Sequence, residues 1–381
     1  MTRRTGSKKS DAAVRPEDEL ADIIVVGAGP AGLAAALRAR ALGRSVTIVE
    51  KEKKPAGRDC AGWISPAGVG LLEGFGLKAA DCGGGEFTGL RIFSWDLRKT
   101  AAVRQPEIRG WIIDRTRCAE TLLAAATAGG AHIIHGATVE SLSLNEDHAA
   151  LRLSTGAPLT GKILIIADGA QSPTARLANL APAGRAPGAA HGFFAAAQVE
   201  KGPPSIDLAI GAGRILQLAT IVRLGATIRV GYVTRAPIDT AQDHYRAFIT
   251  AAGAAGLVPA EGLEKTRMTV LPVGLALDLD SHVGKRCLMI GDAGGYVASF
   301  SGEGIYPAMQ SGLCAAEAAD RALKAKWVQD ELASFDELWR TALADYLRMP
   351  NTDLTLLMPL VFSNAQMSLR VARAFMLGQQ F

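Results

Sequence analysis

The chain has 381 residues, 49% of them hydrophobic and 20% charged, enough to bury a full core in one large or two interleaved domains. Its net charge of +4 is spread along the sequence with no basic run after residue 10, which argues against nucleic acid as a partner. Forty-two glycines against only 6% aromatic residues favour an α/β class with helices packed closely on a sheet.

Residues 1–20 predict a disordered tail, because Arg3, Arg4, Lys8 and Lys9 precede polar and acidic residues where a signal peptide needs an apolar core. The longest apolar stretch, Ile23 to Leu37, is broken by Gly27, Gly29, Pro30 and Gly32 and falls short of the roughly 20 residues of a spanning helix. Cys60, Cys82, Cys118, Cys287 and Cys314 are odd in number and scattered, suggesting neither a disulfide framework nor a zinc site. A reducing, cytoplasmic setting is expected.

Ile23 to Val26 is a β-branched run of the kind buried on both faces of a parallel sheet. Ala31 to Leu42 reads as a helix and Ser45 to Glu50 as the next strand, which completes one βαβ unit. The turn between them, Gly27-Ala-Gly29-Pro-Ala31-Gly32, matches G-x-G-x-x-G after a strand and before a helix. Gly27 permits the tight turn, Gly29 lets the backbone approach a pyrophosphate, and Gly32 lets helix and strand pack closely. Glu50 follows 18 residues after Gly32, where a carboxylate accepts ribose hydroxyls and disfavours a 2′-phosphate. The site therefore suits FAD or NAD rather than NADP.

Arg115 to Ala128 reads as a helix leading into a strand at His132 to Ile134, and Ala149 to Ser154 and Lys162 to Ala167 read as strands. His132 and His135, three apart on a strand, point to opposite faces and make poor metal ligands, so no metal is expected. Phe193 to Val199, Ile215 to Val222 and Thr227 to Val233 read as strands of an antiparallel second layer, with a helix at Asp239 to Gly253. A strand at Arg286 to Ile290 ends in Gly291-Asp292, and helices follow at about Gly304 to Ala325 and Glu331 to Leu347. Thr352 to Phe381 is an apolar, Met-rich helical tail, more in keeping with core or interface than with a cofactor site.

Three segments carry a family resemblance. Ala167-Asp168-Gly169-Ala-Gln-Ser172-Pro-Thr-Ala-Arg176 resembles the second flavin fingerprint of the p-hydroxybenzoate-hydroxylase-fold flavoproteins. Gly291-Asp292-Ala-Gly-Gly295, followed by Ser301-Gly302-Glu303-Gly304-Ile305-Tyr306 and Met309-Gln-Ser-Gly312, resembles the third. Within that superfamily Gly-Glu-Gly-Ile-Tyr and Cys60-Ala-Gly62 are similar to segments of the geranylgeranyl reductase family. The resemblance spans residues 22 to about 325 and implies a Rossmann-type FAD-binding domain interleaved with an antiparallel-sheet substrate domain, plus a helical C-terminal segment. On that plan residues 21–85, 111–185 and 281–325 bind FAD, 86–110 and 186–280 form the substrate domain, and 326–381 are C-terminal helices.

The cofactor contacts expected on this reading are Gly27, Gly29, Pro30, Ala31, Gly32, Glu50, Lys51, Arg58, Arg115, Val139, Asp168, Gly169, Gly291, Asp292, Gly302, Gly304 and Ile305. Asp292 at a strand end suits the ribitol hydroxyls or, alternatively, a helix N-cap; Arg115 resembles the family arginine at the FAD phosphates or is a solvated helix-end charge. The helix opened by Gly302, Gly304 and Ile305 would turn its positive end toward the pyrimidine side of the flavin. Cys60 is expected beside the ring as a proton donor, or else as a small packing residue.

Two departures bear on the chemistry. The family's aromatic Tyr-x-Trp-x-Phe-Pro stretch has as its counterpart Gln217-Leu-Ala219-Thr-Ile221-Val222, without an aromatic residue, and Ser299-Phe300-Ser301 replaces a proline before Gly-Glu-Gly. The expected activity is FAD-dependent reduction of a carbon–carbon double bond in an apolar, isoprenoid-like substrate; the alternative is an FAD-dependent monooxygenase using NAD(P)H and oxygen. With one G-x-G-x-x-G and no Cys-x-x-Cys, the electron donor, NAD(P)H or ferredoxin, would bind transiently. A lipid-like substrate would add a peripheral membrane contact to the cytoplasmic setting.

Overall fold

Ile23, Ile24 and Val25 have no exposed surface, because the strand Ala21–Val26 lies at the centre of a sheet covered on both faces. The computed structural model describes residues 20–55, 57, 60–211, 217–263 and 265–381, so nearly all of the expected tail and Arg58 fall outside the described residues. Ala21–Val26 pairs in parallel with Pro158–Ile166 on one side (Ile23 opposite Ile163) and with Val46–Glu50 on the other (Ile23 opposite Val46). His132–His135 extends the parallel sheet beyond Val46–Glu50, and Cys287–Met289 extends it beyond Pro158–Ile166. Val139–Leu144, Ala149–Leu153 and Val283–Gly284 complete eight strands with antiparallel pairings.

The helices, in chain order, are α1 (Pro30–Ala41), α2 (Pro66–Gly74), α3 (Arg115–Ala128), α4 (Pro173–Leu177), α5 (Ile238–Ala254), α6 (Ile305–Lys324), α7 (Val328–Leu332), α8 (Phe335–Leu347), α9 (Leu354–Val361) and α10 (Ala365–Leu377). Pro30 suits the first turn of α1, where its missing N–H has no partner to lose. The alanines of α1 let α6 come to backbone contact: a Cβ on Gly312 would stand 2.4 Å from the Ala31 carbonyl oxygen. One core cluster joins this helix pair to the sheet, to α3 and to Phe335, Trp339 and Leu343 of α8.

A five-stranded sheet is built from Leu90–Ser94, Thr100–Val103, Ala190–Gly211, Gln217–Thr234 and Arg267–Leu271. The glycine and proline signals near Gly202 and Gly225 were expected to separate strands. Instead they fall within two long strands of 22 and 18 residues, Gly202 pairing with Gly225 across register shifts at Gln198–Ser205. Tyr245 and Phe248 of α5 pack on this sheet against Phe193, Tyr232 and Trp95. A small three-stranded sheet, Trp63–Ile64, Gly85–Thr88 and Arg109–Ile112, bridges the two larger ones.

The helix expected over Glu331 to Leu347 is two helices, α7 and α8, because Phe335 turns into the core just after the break. The C-terminal segment forms α9 and α10, and α10 starts at Asn364, whose side chain accepts the Gln366 N–H at 2.9 Å. Phe375 of α10 is fully buried and stacks on Trp63 with ring centroids 4.9 Å apart. Among the described residues no helix is long and apolar enough to cross a membrane.

Candidate functional site

A cavity of about 850 Å³ runs from the turn before α1 to the five-stranded sheet, within the size range of cofactor and ligand sites. At one end Gly27 N–H donates to Val49 (2.8 Å) and Ala28 N–H to Glu50 Oε2 (2.6 Å), while Glu50 Oε1 accepts from Glu52 N–H (2.9 Å). Glu50 is thereby fixed at the strand end with its carboxylate on the cavity wall. The three motif glycines have distinct surroundings. A Cβ on Gly27, whose φ is +105°, would stand 2.4 Å from the Ala167 oxygen, and one on Gly32 would stand 2.0 Å from the Gly27 oxygen. One on Gly29 would meet nothing within 4 Å, because it would project into the cavity.

Arg115 opens α3 beside this turn, and its Nε is buried with no hydrogen-bond partner. A buried guanidinium N–H without an acceptor, next to a helix N-terminus over an open glycine, fits an anionic group bound there. The residues present therefore fit the diphosphate half of FAD.

Asp292 lies in the turn Gly291–Gly294, which packs against the start of α1, and Gly302, Glu303, Gly304 and Ile305 form the wall at the start of the 20-residue α6. The N-terminal partial charge of that helix faces the cavity. Asp168 lines the cavity as well, and its carboxylate accepts from Ser172 Oγ and from Thr174 N–H (3.1 Å), which braces α4.

Cys60, Ala61, Gly62 and Trp63 line the middle of the cavity. Their loop is tied down where the Gly62 oxygen accepts from Ile113 N–H (2.7 Å) and Arg229 Nη1 donates to the Ile113 oxygen (2.9 Å). Opposite stand Phe194, Leu218, Gly231, Val233, Val270 and Leu271 of the five-stranded sheet, a largely apolar wall to which Thr220, Arg267 and Thr269 add polar side chains.

Of the expected contacts, Gly29, Pro30, Ala31, Glu50, Lys51, Cys60, Arg115, Asp168, Gly169, Asp292, Gly302, Gly304 and Ile305 line this one cavity. Gly27 and Gly32 shape the turn from behind, and Gly291, with φ +59°, packs against Ala31. Val139 does not reach the cavity wall: it opens the strand Val139–Leu144 and is buried in the core with Val26, Val49 and Leu153. Arg58 lies outside the described residues. The wall from the sheet over Phe193 to Val233 is where the sequence places an aliphatic surface opposite Cys60, whereas Glu303, inside the quoted Gly-Glu-Gly, and Arg229, with no local signal, are not among the expected site residues.

The model of the FAD binding domain family matches residues 20–215, half of the chain. The chain belongs to that family. A digeranylgeranylglycerophospholipid reductase of Methanocaldococcus jannaschii is 25% identical over 359 residues, which cover 88% of this chain and 86% of that protein. A menaquinone reductase of Mycobacterium tuberculosis is 30% identical over 165 residues, 42% of this chain and 40% of its own length. The fold is that of a geranylgeranyl bacteriochlorophyll reductase-like protein from Thermoplasma acidophilum, with a TM-score of 0.75 and 20% identity over 95% of this chain and 97% of that one.

Proposed function

We propose that this chain is an FAD-dependent oxidoreductase that reduces a carbon–carbon double bond of an apolar, isoprenoid-like substrate. The observation that carries the reading is the continuity of the cavity, from the phosphate turn past Cys60 to the aliphatic wall of Leu218, Val233 and Leu271. Glu50, the α1 N-terminus and Arg115 would hold the adenosine diphosphate half, and Asp292 with the Gly302–Ile305 segment the flavin half. FAD, when bound, supplies hydride to one carbon of the double bond. Cys60 would supply the proton to the other carbon, and the apolar wall would orient the chain and exclude water. The M. jannaschii and M. tuberculosis relatives, both named reductases, support this chemistry. NAD(P)H or ferredoxin would bring the electrons, and a lipid-like substrate would bring the protein to a membrane surface.

The test is anaerobic. Holoenzyme reduced with dithionite and mixed with an unsaturated polyprenyl lipid should be reoxidised with one saturated bond formed per flavin. Reoxidation only after oxygen is admitted, with a hydroxylated product, would establish the monooxygenase alternative. Cys60→Ser should keep its flavin and slow the anaerobic step by roughly 100-fold, a general-acid contribution. If Cys60→Ser and Cys60→Ala both match the wild type, Cys60 is a packing residue.

A further inference from the structure

Glu303 is a carboxyl group that the reaction above does not use. It stands between Gly302 and Gly304 in the cavity wall and is 3% exposed. Oε1 accepts from the Ser65 N–H at 3.0 Å, at the head of α2, and Oε2 accepts from the Tyr346 hydroxyl of α8. Tyr306 of α6 packs edge-on to Tyr346, with ring centroids 4.8 Å apart. On the turn Gly291–Gly294, Asp292 Oδ1 lies 3.7 Å from where a Cβ on Gly304 would stand. The groups that reach the Glu303 carboxylate from these elements are thus the Ser65 N–H and the Tyr346 phenol, with the Tyr306 ring packed against Tyr346 and no cation among them. Burial without a counter-charge pushes the Glu303 carboxyl up to about 7 even though Ser65 and Tyr346 donate to it.

We propose that Glu303 takes up a proton when the bound flavin is reduced, so that a group outside the reaction ties the cofactor's potential to pH. The inference rests on the FAD reading of this cavity. Two electrons from the reductant and one proton from solvent would leave one added negative charge inside the cavity. A carboxylate in the same wall is disfavoured by that charge and binds one further proton from solvent. The sum is two electrons and two protons, and the only bond formed at Glu303 is its own O–H. Glu303 acts by charge and touches no reacting carbon.

The test is the potential of the holoenzyme, titrated with dithionite between pH 7 and 9. Each proton taken up with an electron pair lowers the potential by about 30 mV for every tenfold fall in proton activity. The slope of the wild type should therefore steepen above pH 7 toward about 60 mV per pH unit near pH 8, where the oxidised protein has lost the Glu303 proton, while Glu303→Gln stays at about 30 mV. Equal slopes in flavin-loaded wild type and variant overturn the proposal and leave the FAD reading intact; a wild-type chain that binds no flavin removes both. Should Glu303→Gln fail to hold flavin, the reduced-minus-oxidised infrared spectrum of the wild type at pH 8 decides. A gained carboxylic-acid carbonyl band supports the proposal, and its absence refutes it.

Discussion

On the proposed reading Gly29 separates cofactor binding from folding in a way its neighbours in the motif do not. Any side chain on Gly27 or Gly32 strikes backbone within 2.4 Å, so substitution there disturbs the strand–helix packing itself. Gly29 has φ −75°, ordinary for any residue, and open space where its Cβ would stand. Gly29→Val should keep its circular dichroism and thermal midpoint within the small range of a surface change, yet purify without flavin absorbance. A yellow variant with wild-type FAD content would refute the placement of the diphosphate. Glycines, a terminal acid and a helix start were legible in the sequence because their roles are set by backbone within a few residues of each other. Glu303 and Arg229 were not, because their partners, Ser65, Tyr346 and Ile113, are brought to them by the fold from 238, 43 and 116 positions away.

Three helices meet at Glu303, and the meeting has a cost that depends on pH. The carboxyl is pushed up from its ordinary 4.5 to about 7, so the folded protein binds this proton more tightly than the unfolded chain. The associated stability is fully present below the unfolded value and is lost as pH rises through 7. Between pH 5 and pH 8 the stability difference between Glu303→Gln and wild type should shift toward the variant by up to ~3 kcal/mol, read from urea unfolding at each pH. A pH-independent difference would mean that Glu303 ionises in the folded state as it does in water. At this scale, the long helices and the parallel strands were readable from periodicity and β-branching. Trp63–Ile64 and its partners were not, since strands of two to four residues hold no period. The two long strands were misread as three because glycines at 202 and 225 signal a turn locally and only their pairing reveals a bend.

Across the whole molecule, the apolar C-terminal segment proves to be a wall. Val371, Phe375 and Met376 of α10 are fully buried, and they share a cluster with Trp63, Ile92 and Ile210 from two of the sheets. Removing residues 365–381 would open this cluster and strip Phe375 from the ring of Trp63, which lines the cavity. Each lost core side chain of this size is worth about 3–5 kcal/mol, against the 5–15 kcal/mol that keeps a domain folded. The truncated chain should be insoluble or lack a cooperative thermal transition; a soluble chain with wild-type melting would show the segment to be dispensable. The sequence placed the helical composition there but not its partners, because an amphipathic face does not name what it covers.

The contact between Gly312 and Ala31 has a further consequence. It locks α1 and α6 backbone to backbone, and both helices open onto the same cavity. They act as the fixed jaws of a caliper: a ligand is selected by its span as well as by its functional groups. On the proposed reading a mononucleotide would reach one jaw and forfeit the grip of the other, whereas a dinucleotide would engage both and leave only when both release it.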